Sequence, residues 1–397
     1  NETVKNLYEK LLELGYEIEV KTFHKLGLKF LEGENYTIVE DSYLAYIIDE
    51  YVRSFIQYDK KRVRLFKNIL YTEKSFSNLL KSQEYKNLKK TMMNFIKLAK
   101  SNHFTIRDIY DVYKRSWFNE KSLLKNILDV YMIYERELES SLKIDFDDMI
   151  TKAIENVRIT DMRYKYIIID EFQDTSMIRY ELIQEIVKYT NSRVFVVGDD
   201  WQSIYRFSGC NLKLFLHFNQ YFKESKYFYL KYTYRNSNEL IHVSSQFIMQ
   251  NRKQLKKSIL SQKNLTKPIV ILFSYTVSEI LSLIQGEEIL ILGRNNADIA
   301  SVDWENKLTI HRSKGLEEKN VILVNSDSIP NVMQQERIMR HVLKDNDYIL
   351  YEEERRLFYV ALTRTKERIF IQVNRKISPF VKELMRDYRQ YVTVLKK

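Results

Sequence analysis

The 397-residue sequence contains little cysteine, proline and glycine, with 1, 3 and 8 residues respectively. Its only cysteine is Cys210, so it can form no internal disulfide and no cysteine-built zinc site, which favours a cytoplasmic location. No apolar run approaches the roughly 18–20 residues that span a bilayer. The sequence therefore predicts a folded protein of two or three domains with no membrane partner.

Proline and glycine are rare in the first half. No proline precedes Pro268, and no glycine lies between Gly33 and Gly198. Without these breakers, residues 58–100 and 121–142, which carry Lys, Leu, Phe and Ile at helical spacing, are predicted to form long helices. Their lysines form either a solvated helix face or a DNA-facing surface.

The charge is unbalanced towards the basic side. The chain has 64 Lys and Arg against 53 Asp and Glu, a formal net charge of +11. This favours a polyanionic partner such as nucleic acid, although lysine-rich composition also arises from genome bias. Charge alone leaves nucleic-acid binding open.

From about residue 164, short apolar runs end in acidic, glycine or polar residues. Runs of this length, separated by helical segments, predict the buried parallel strands of an α/β sheet, whose carboxyl ends hold the ligand groups. The predicted strands are 166–169, 194–197, 269–273, 289–292, 308–310, 321–324 and 369–373.

Two adjacent carboxylates, Asp170 and Glu171, follow the first of these strands. Nucleotide hydrolysis needs one carboxylate for Mg²⁺ and a second for the attacking water, so Asp170 suits the metal and Glu171 the water. Acidic residues at this point can equally cap a helix start.

The next predicted strand leads into residues 198–209, which contain Gln202 followed by Tyr205, Arg206 and Phe207. The Gln202 amide can sense a terminal phosphate, and two aromatics beside a cation suit base stacking with phosphate contact. Both aromatics can equally be core side chains.

Arginine recurs in three later segments, at Tyr234-Arg235, in 311–317 and in 353–364. Arginine binds phosphate through a fork of donors, and two arginines on one γ-phosphate would couple domain closure to hydrolysis. Each can also form a surface ion pair, which is our prediction for Arg312, Arg355 and Arg356.

Together these segments resemble the motifs of superfamily 1 DNA helicases of the UvrD/Rep type, in particular the helicase IV branch. The five similar segments, in family order from motif II to motif VI, are 170–174, 198–209, 232–235, 309–317 and 353–366. Thr22-Phe23-His24 resembles motif Ib, a single-strand contact, and 144–148 resembles the segment that re-enters the first motor domain.

The resemblance implies an α/β fold with two RecA-like, P-loop NTPase type, parallel-sheet motor domains. The first is expected to be incomplete and to carry a helical inserted subdomain. The expected division is 1–30 for the start of the first motor domain, 31–143 for the helical insert, 144–215 for the remainder of the first motor domain and 216–397 for the second.

The resemblance also implies ATP and Mg²⁺ as cofactors and 3′-to-5′ movement on single-stranded DNA and single-/double-strand junctions. The implied ATP-site residues are Asp170 for Mg²⁺, Glu171 for the catalytic water, Gln202, Arg235 and Arg364 for the γ-phosphate, Tyr234 for adenine and Glu317 for ribose. The implied DNA contacts are Thr22, Phe23, His24, Tyr205, Arg206, Phe207 and His311.

Three features depart from the family pattern. None of the eight glycines is followed by lysine, so the phosphate-cradling Gly-x-x-x-x-Gly-Lys-Thr loop is absent, and we expect the downstream part of a longer helicase. Glu318 stands where the family usually has an aromatic residue. Only 73 residues separate Arg235 from Thr309, which leaves no room for the large UvrD/Rep insert, and 254–257 lies in this segment.

Two alternatives belong to other functional classes. The chain could be a non-catalytic DNA-binding or regulatory remnant of such a helicase, although the retained ATP-site residues are dispensable to a mere binder. An ATP-powered nuclease subunit is less favoured, because no additional acidic cluster follows residue 375.

Overall fold

A computed structural model describes residues 2–56, 58–70, 72, 74–159, 163–284, 288–331, 334–343 and 350–397. These residues form two compact units. The first comprises Asn1–Val197, Arg206–Leu214 and Gln335–Asn346, and the second comprises Gly198–Tyr205, Phe215–Gln334 and Asp347–Lys397. The four-part division expected from the sequence follows different boundaries and stays a prediction.

Helices dominate the first unit, as the scarcity of breakers predicts. The helix Phe118–Ser140 confirms the long helix predicted over 121–142. The described residues of the segment 58–100 are mostly helical but are divided among three helices, of which Gln83–Ser101 is the longest. The other α-helices of this unit are Glu2–Glu13, Phe23–Phe30, Asp41–Tyr51, Lys60–Leu70, Phe76–Lys81, Ile106–Arg115, Phe146–Asn156, Met177–Thr190 and Arg340–Leu343. A helix Lys213–Leu216 lies where the chain passes from this unit to the second.

The helices of the first unit begin at polar caps and bury apolar stripes. Thr105 and Asp108 form a capping box at the start of Ile106–Arg115, and Asp145 and Asp148 form another before Phe146–Asn156. The largest core of this unit contains the fully buried side chains of Phe66, Met92, Phe95, Leu124 and Ile127. Apolar burial by helices is therefore its main source of stability.

The first unit also contains two small parallel sheets of two strands each. Strands β1 (Thr37–Ile38) and β2 (Lys143–Ile144) form one, and β3 (Tyr166–Ile169) and β4 (Arg193–Val196) form the other. In the second sheet Tyr166 is in register with Arg193.

The second unit is built on one six-stranded parallel sheet. Its strands are β5 (Ile269–Phe273), β6 (Ile289–Gly293), β7 (Lys307–Thr309), β8 (Glu318–Leu323), β9 (Thr365–Val373) and β10 (Val392–Lys396), in the order β10-β5-β9-β8-β6-β7. Its α-helices are Phe218–Tyr221, Asn238–Ile248, Val277–Leu283, Asn296–Ile299, Leu350–Leu362 and Pro379–Asp387.

Both faces of the six-stranded sheet are covered. Along β5, Ile269 and Ile271 join one apolar core, and the alternate residues Val270 and Leu272 join another. The same alternation runs through β6 and β8. Because successive strand residues point to opposite faces, this pattern places packed layers on both sides of the sheet.

Each strand predicted from an apolar run is present, with bounds that differ by no more than four residues at either end, and the predicted α/β class with parallel sheets is confirmed. Burial differs from the prediction in β3 and β4. Ile168 is 67% exposed and Phe195 is 56% exposed, whereas all of β6 is buried. The prediction of buried strands was wrong for this pair, because in the described part of the chain Ile167 packs against helices while the face that carries Ile168 is exposed.

Candidate ATP and DNA sites

Asp170 and Glu171 lie at the carboxyl end of β3, as predicted. Glu171 has a left-handed backbone, with φ 51° and ψ 43°, and it turns the chain from the strand into the short 3₁₀-helix Phe172–Asp174. Such a conformation is costly for a residue other than glycine and is often found at functional sites. Both carboxylates are exposed, and the buried Gln173 amide donates to Glu171.

An exposed carboxylate at a strand end is a suitable ligand for Mg²⁺, which takes one or two protein carboxylates and otherwise keeps water and phosphate oxygens. Asp170 meets this requirement. Among the residues that the structure describes, no three His, Cys, Asp or Glu side chains converge on one point, so a fully protein-built metal cage is not found there.

The segment after β4 is divided between the units. Gly198–Tyr205 packs within the second unit and Arg206–Leu214 within the first. Asp199 caps the 3₁₀-helix Asp200–Gln202 by accepting from the Trp201 backbone N–H at 3.1 Å. Trp201 is fully buried, and it fixes this helix in the core of the second unit.

Gln202 and Arg364, predicted to serve the same phosphate, are brought together in the second unit. Arg364 follows the helix Leu350–Leu362, and its guanidinium donates to Gln202 Oε1 at 2.9 Å. The Gln202 Nε2 donates to Asp199 at 2.7 Å. Carbonyls of Val360 and Leu316 accept two further N–H groups of the buried Arg364.

Arg235 and Glu317 also meet in the second unit. The Arg235 guanidinium donates to the Glu317 carboxylate, and Lys366 Nζ lies 3.5 Å from the other oxygen of that carboxylate. Partial burial would raise the pKa of Glu317, but the hydrogen bond and charge of Arg235, with Lys366, outweigh burial and lower it. Glu317 is therefore an anion held between two cations. Beside Arg235, the Tyr234 ring is 78% exposed and accessible for stacking.

Tyr205 and His311, two of the predicted DNA contacts, lie side by side. The Tyr205 hydroxyl donates to the His311 carbonyl at 2.6 Å, and Lys314 Nζ lies 5.3 Å from the centre of the Tyr205 ring. Tyr205 is half-buried against the core of the second unit, and its role in base stacking stays a prediction.

Phe207 lies in the first unit and is 41% exposed, next to the half-buried Arg206. Its loop is fastened to the end of the helix Gln83–Ser101. Gly209 has φ +93°, and a Cβ there would lie 2.4 Å from Ser101 Oγ, so the close approach requires glycine. Asn102 adds a bond from its side-chain amide to the Gly209 carbonyl at 3.0 Å.

Thr22, Phe23 and His24 form the start of the helix Phe23–Phe30 in the first unit, and all three are half-buried. Thr22 accepts from the Lys25 backbone N–H at 3.2 Å and so caps the helix. Burial, followed by the charges of Arg179 and Lys97, lowers the pKa of His24, so its ring is neutral near pH 7.

The prediction of surface ion pairs was wrong for Arg356. Its side chain is buried, and it donates to the Ser203 carbonyl at 2.8 Å and to Gln254 Oε1 at 3.1 Å. Arg355 does form an ion pair, with Glu383 at 2.8 Å, but both side chains are mostly buried. Arg312 is exposed.

Sequence reasoning missed the role of Lys257. Its ammonium lies between Asp199 and Asp200, and Asp200 is fully buried. The signal in the sequence was the adjacent acidic pair, because a buried carboxylate needs a cation or several hydrogen-bond donors. The residues around Asp200 do not show that its cation lies 57 positions away in the sequence.

The described helices include none that is both long and apolar enough to cross a membrane.

Comparison with known proteins identifies the family. Residues 1–223 match the UvrD/REP helicase N-terminal domain, and residues 305–376 match the UvrD-like helicase C-terminal domain. The chain is similar to DNA helicase IV of Escherichia coli (strain K12), with 34% identity over 286 residues that cover 66% of this chain and 42% of that protein.

Two further similar proteins are also named as DNA helicases. The chain is 31% identical over 195 residues to the probable DNA helicase II homolog of Mycoplasma capricolum, covering 44% of this chain and 27% of that protein. It is 25% identical over 264 residues to the ATP-dependent DNA helicase Rep of Buchnera aphidicola subsp. Baizongia pistaciae. This match covers 62% of this chain and 33% of that protein. The chain thus spans less than half the length of each of these relatives.

The matches agree with the predicted α/β fold of two RecA-like helicase domains. The N-terminal match alone covers more than half of the sequence. The chain therefore belongs to the UvrD/REP helicase family.

Proposed function

We propose that this chain carries the nucleotide-hydrolysing and strand-binding residues of an ATP-dependent DNA helicase that moves 3′ to 5′ along single-stranded DNA. The observation that carries the proposal is the contact between Gln202 and the buried Arg364, two residues 162 positions apart that the family assigns to one γ-phosphate. Family membership and the names of the similar proteins support it.

The proposed ATP-site roles follow the chemistry of each side chain. Asp170 holds Mg²⁺ and Glu171 orients the attacking water; Gln202, Arg235 and Arg364 contact the γ-phosphate, Tyr234 stacks on adenine and Glu317 binds ribose. Mg²⁺, when bound, neutralises charge on the phosphates.

Arg364 is suited to this task by its surroundings. Its guanidinium is oriented by the carbonyls of Val360 and Leu316 and by Gln202, so its position is set before a phosphate arrives. A donor whose dipole is already aimed needs no reorganisation during the reaction, and this is the usual source of electrostatic catalysis.

The proposed DNA contacts combine aromatic rings with cations. Tyr205 beside Lys314, and Phe207 beside Arg206, offer ring faces for bases and positive charge for phosphates. Thr22, Phe23, His24 and His311 complete the proposed set. The proposed substrate is single-stranded DNA and its junctions with duplex DNA. The proposed location is the cytoplasm.

The test is ATP hydrolysis measured with and without oligo(dT), for the 397-residue chain and for the full gene product. We expect the full product to be stimulated by DNA and Glu171→Gln to lower its kcat by about 10²–10⁴-fold. The 397-residue chain should turn over poorly, because its sequence contains no phosphate-cradling loop. Glu139→Gln, an exposed helical change, is the matched control.

Full activity in the Glu171→Gln variant would refute the assignment of that residue. DNA binding without any ATP turnover by the full product would favour the non-catalytic alternative instead. The direction of movement is tested separately, by comparing unwinding of duplexes that carry a 3′ or a 5′ single-stranded tail.

A further inference from the structure

Lys257 links two carboxylates that the proposed mechanism does not use. Its ammonium contacts Asp199 and lies 2.5 Å from Asp200, and its side chain is only 17% exposed. The ammonium also lies 5.0 Å from the centre of the Trp201 ring. A cation so enclosed must be held by its partners, because desolvation alone would disfavour the charge.

The segment that carries Lys257 is also held at this place by hydrogen bonds that do not involve the Lys257 ammonium. Asp200 accepts from the Leu255 backbone N–H at 2.8 Å and from the Gln254 amide at 2.6 Å. In return, the Trp201 indole donates to the Leu255 carbonyl at 3.0 Å. The position of the Lys257 backbone is therefore set independently of its ammonium.

Asp199 connects this cluster to Gln202. A carboxylate only accepts hydrogen bonds, so its bond with Gln202 must use the amide nitrogen. The amide oxygen is then directed to Arg364, which is the orientation observed. The Gln202 nitrogen has two N–H donors, and the bond to Asp199 uses one of them, so the other can donate to the γ-phosphate in the proposed mechanism.

Removal of the ammonium would leave Asp199 and Asp200 adjacent, with one of them fully buried. Two neighbouring carboxylates repel, and the pair would relieve this repulsion by rotation of the less buried member, Asp199. A rotated Asp199 no longer dictates which end of the Gln202 amide faces Arg364.

We propose that Lys257 is a positioning residue for Gln202: it holds the Asp199 carboxylate in place, and Asp199 in turn orients the amide that contacts Arg364. This inference rests on the proposed function of Gln202 as the γ-phosphate sensor. Lys257 itself touches neither nucleotide nor DNA in this scheme.

The test compares Lys257→Met with Lys257→Arg and with Lys256→Met, an exposed neighbour, in the full gene product. We expect Lys257→Met to lower kcat for DNA-stimulated ATP hydrolysis by about 10–100-fold with little change in KM, by analogy with residues that hydrogen-bond to metal ligands and orient them. Lys257→Arg should restore most of the rate, and Lys256→Met should leave it unchanged.

A double-mutant cycle separates positioning from general damage. If Lys257 acts through Gln202, adding Lys257→Met to Gln202→Ala causes no further loss of kcat. Losses that multiply would overturn the proposal, as would wild-type kcat in Lys257→Met. Should Lys257→Met fold poorly, the cycle is run with the double change Asp200→Asn/Lys257→Met, which removes the buried carboxylate charge together with the ammonium and leaves Asp199 in place.

A crystal structure of the Lys257→Met chain tests the geometry without any turnover. Retention of both Gln202 bonds, to Asp199 and to Arg364, would refute the positioning role. If these bonds are lost but the wild-type full product hydrolyses no ATP, the proposed function fails while the structural link between Lys257 and Gln202 stands.

Discussion

The six-stranded sheet and the two-stranded sheet of β3 and β4 both place polar residues at the carboxyl ends of their strands. They differ in how much of each face is covered by packed side chains. In the six-stranded sheet, alternate residues of β5 enter two separate cores, and Ile271 is fully buried. In the two-stranded sheet, Ile167 packs against helices while Ile168 is largely exposed. Apolar runs of similar composition thus contribute differently to the free energy of unfolding. The contribution depends on the apolar area buried, and this area is set by the layers that cover a strand and not by the strand itself.

The difference implies that the units are stabilised by different elements. The second unit depends on its sheet, whereas the first depends on helix packing and on a buried charge cluster that joins three helices. In that cluster, Lys100 Nζ lies 2.7–2.8 Å from the carboxylates of Glu135, Asp145 and Asp148. The predictions below test this division from the largest expected effect to the smallest.

Replacing Lys100 with Met should destabilise the first unit by about 3–5 kcal/mol, because three carboxylates would lose the cation that compensates their burial. Burial lowers the pKa of the Lys100 ammonium, but Asp145, Asp148 and Glu135 outweigh it and raise the pKa well above its usual value. Hydrogen exchange, resolved by peptide, measures the loss in each unit.

Lys97→Met is the matched control on the same helix. Lys97 pairs with Asp41 at 2.7 Å, but the pair is exposed, so its loss should cost about 0–1 kcal/mol. Equal effects of the two changes, or a loss of protection in the second unit alone, would contradict the proposed division.

The same Ile→Ala change in each sheet tests the comparison directly. Ile271→Ala should cost about 2–5 kcal/mol, because it removes a fully buried side chain and leaves a cavity. Ile168→Ala should stay within about 0.5 kcal/mol, as for other surface positions. Urea denaturation followed by hydrogen exchange gives both values, and a large cost at Ile168 would mean that something covers its face in solution.

Phe207 and Tyr205 allow a comparison of the units in DNA binding. Phe207→Ala should weaken oligo(dT) binding by about 1–3 kcal/mol, the value of one stacked base, with little loss of stability because the ring is partly exposed. Fluorescence anisotropy of labelled DNA measures the affinity. Phe228→Ala, at an exposed ring outside the proposed contacts, serves as the control.

Tyr205→Phe should behave differently from Phe207→Ala. It keeps the stacking ring but loses the hydrogen bond to His311, so it should lower stability by about 1 kcal/mol and leave affinity nearly unchanged. If Phe207→Ala and Tyr205→Ala both bind DNA as the wild type does, these rings are not part of the DNA site.

The smallest expected effect is a pH dependence confined to the first unit. His103 Nε2 lies 2.6 Å from Glu181, and this hydrogen bond raises the pKa of His103 more than partial burial lowers it. Its stabilisation is therefore complete below the unfolded value of about 6.5 and is lost as pH rises through the higher folded pKa. The melting temperature of the first unit should fall by at most a few degrees over this window.

His103→Gln should remove that step while the second unit keeps its own profile. An unchanged pH profile in this variant would show that another group is responsible.

Local pattern was sufficient for the elements and for part of the site. The bounds of β3 and β5 follow from their apolar runs, and Asp170 and Glu171 lie at the strand end where the run stops. Alternation of polarity and the effect of breakers act over a few residues, so the sequence reports them directly.

The missed features all depend on distant pairing. Arg356 was predicted at the surface, but its donors meet Ser203 and Gln254, and Lys257 meets a carboxylate 58 positions away. A charged residue has the same local signature whether it is solvated or buried with partners, because the partner is brought by the tertiary fold. Likewise, the exposure of Ile168 depends on what lies over the sheet.

The tight packing at Gly209 couples the loop that carries Phe207 to a helix. A Cβ at Gly209 would lie within 2.5 Å of Ser101, so the loop cannot shift against the end of the helix Gln83–Ser101 without a clash. A force applied to Phe207 would therefore reach this helix within two residues, and the loop and the helix would move together.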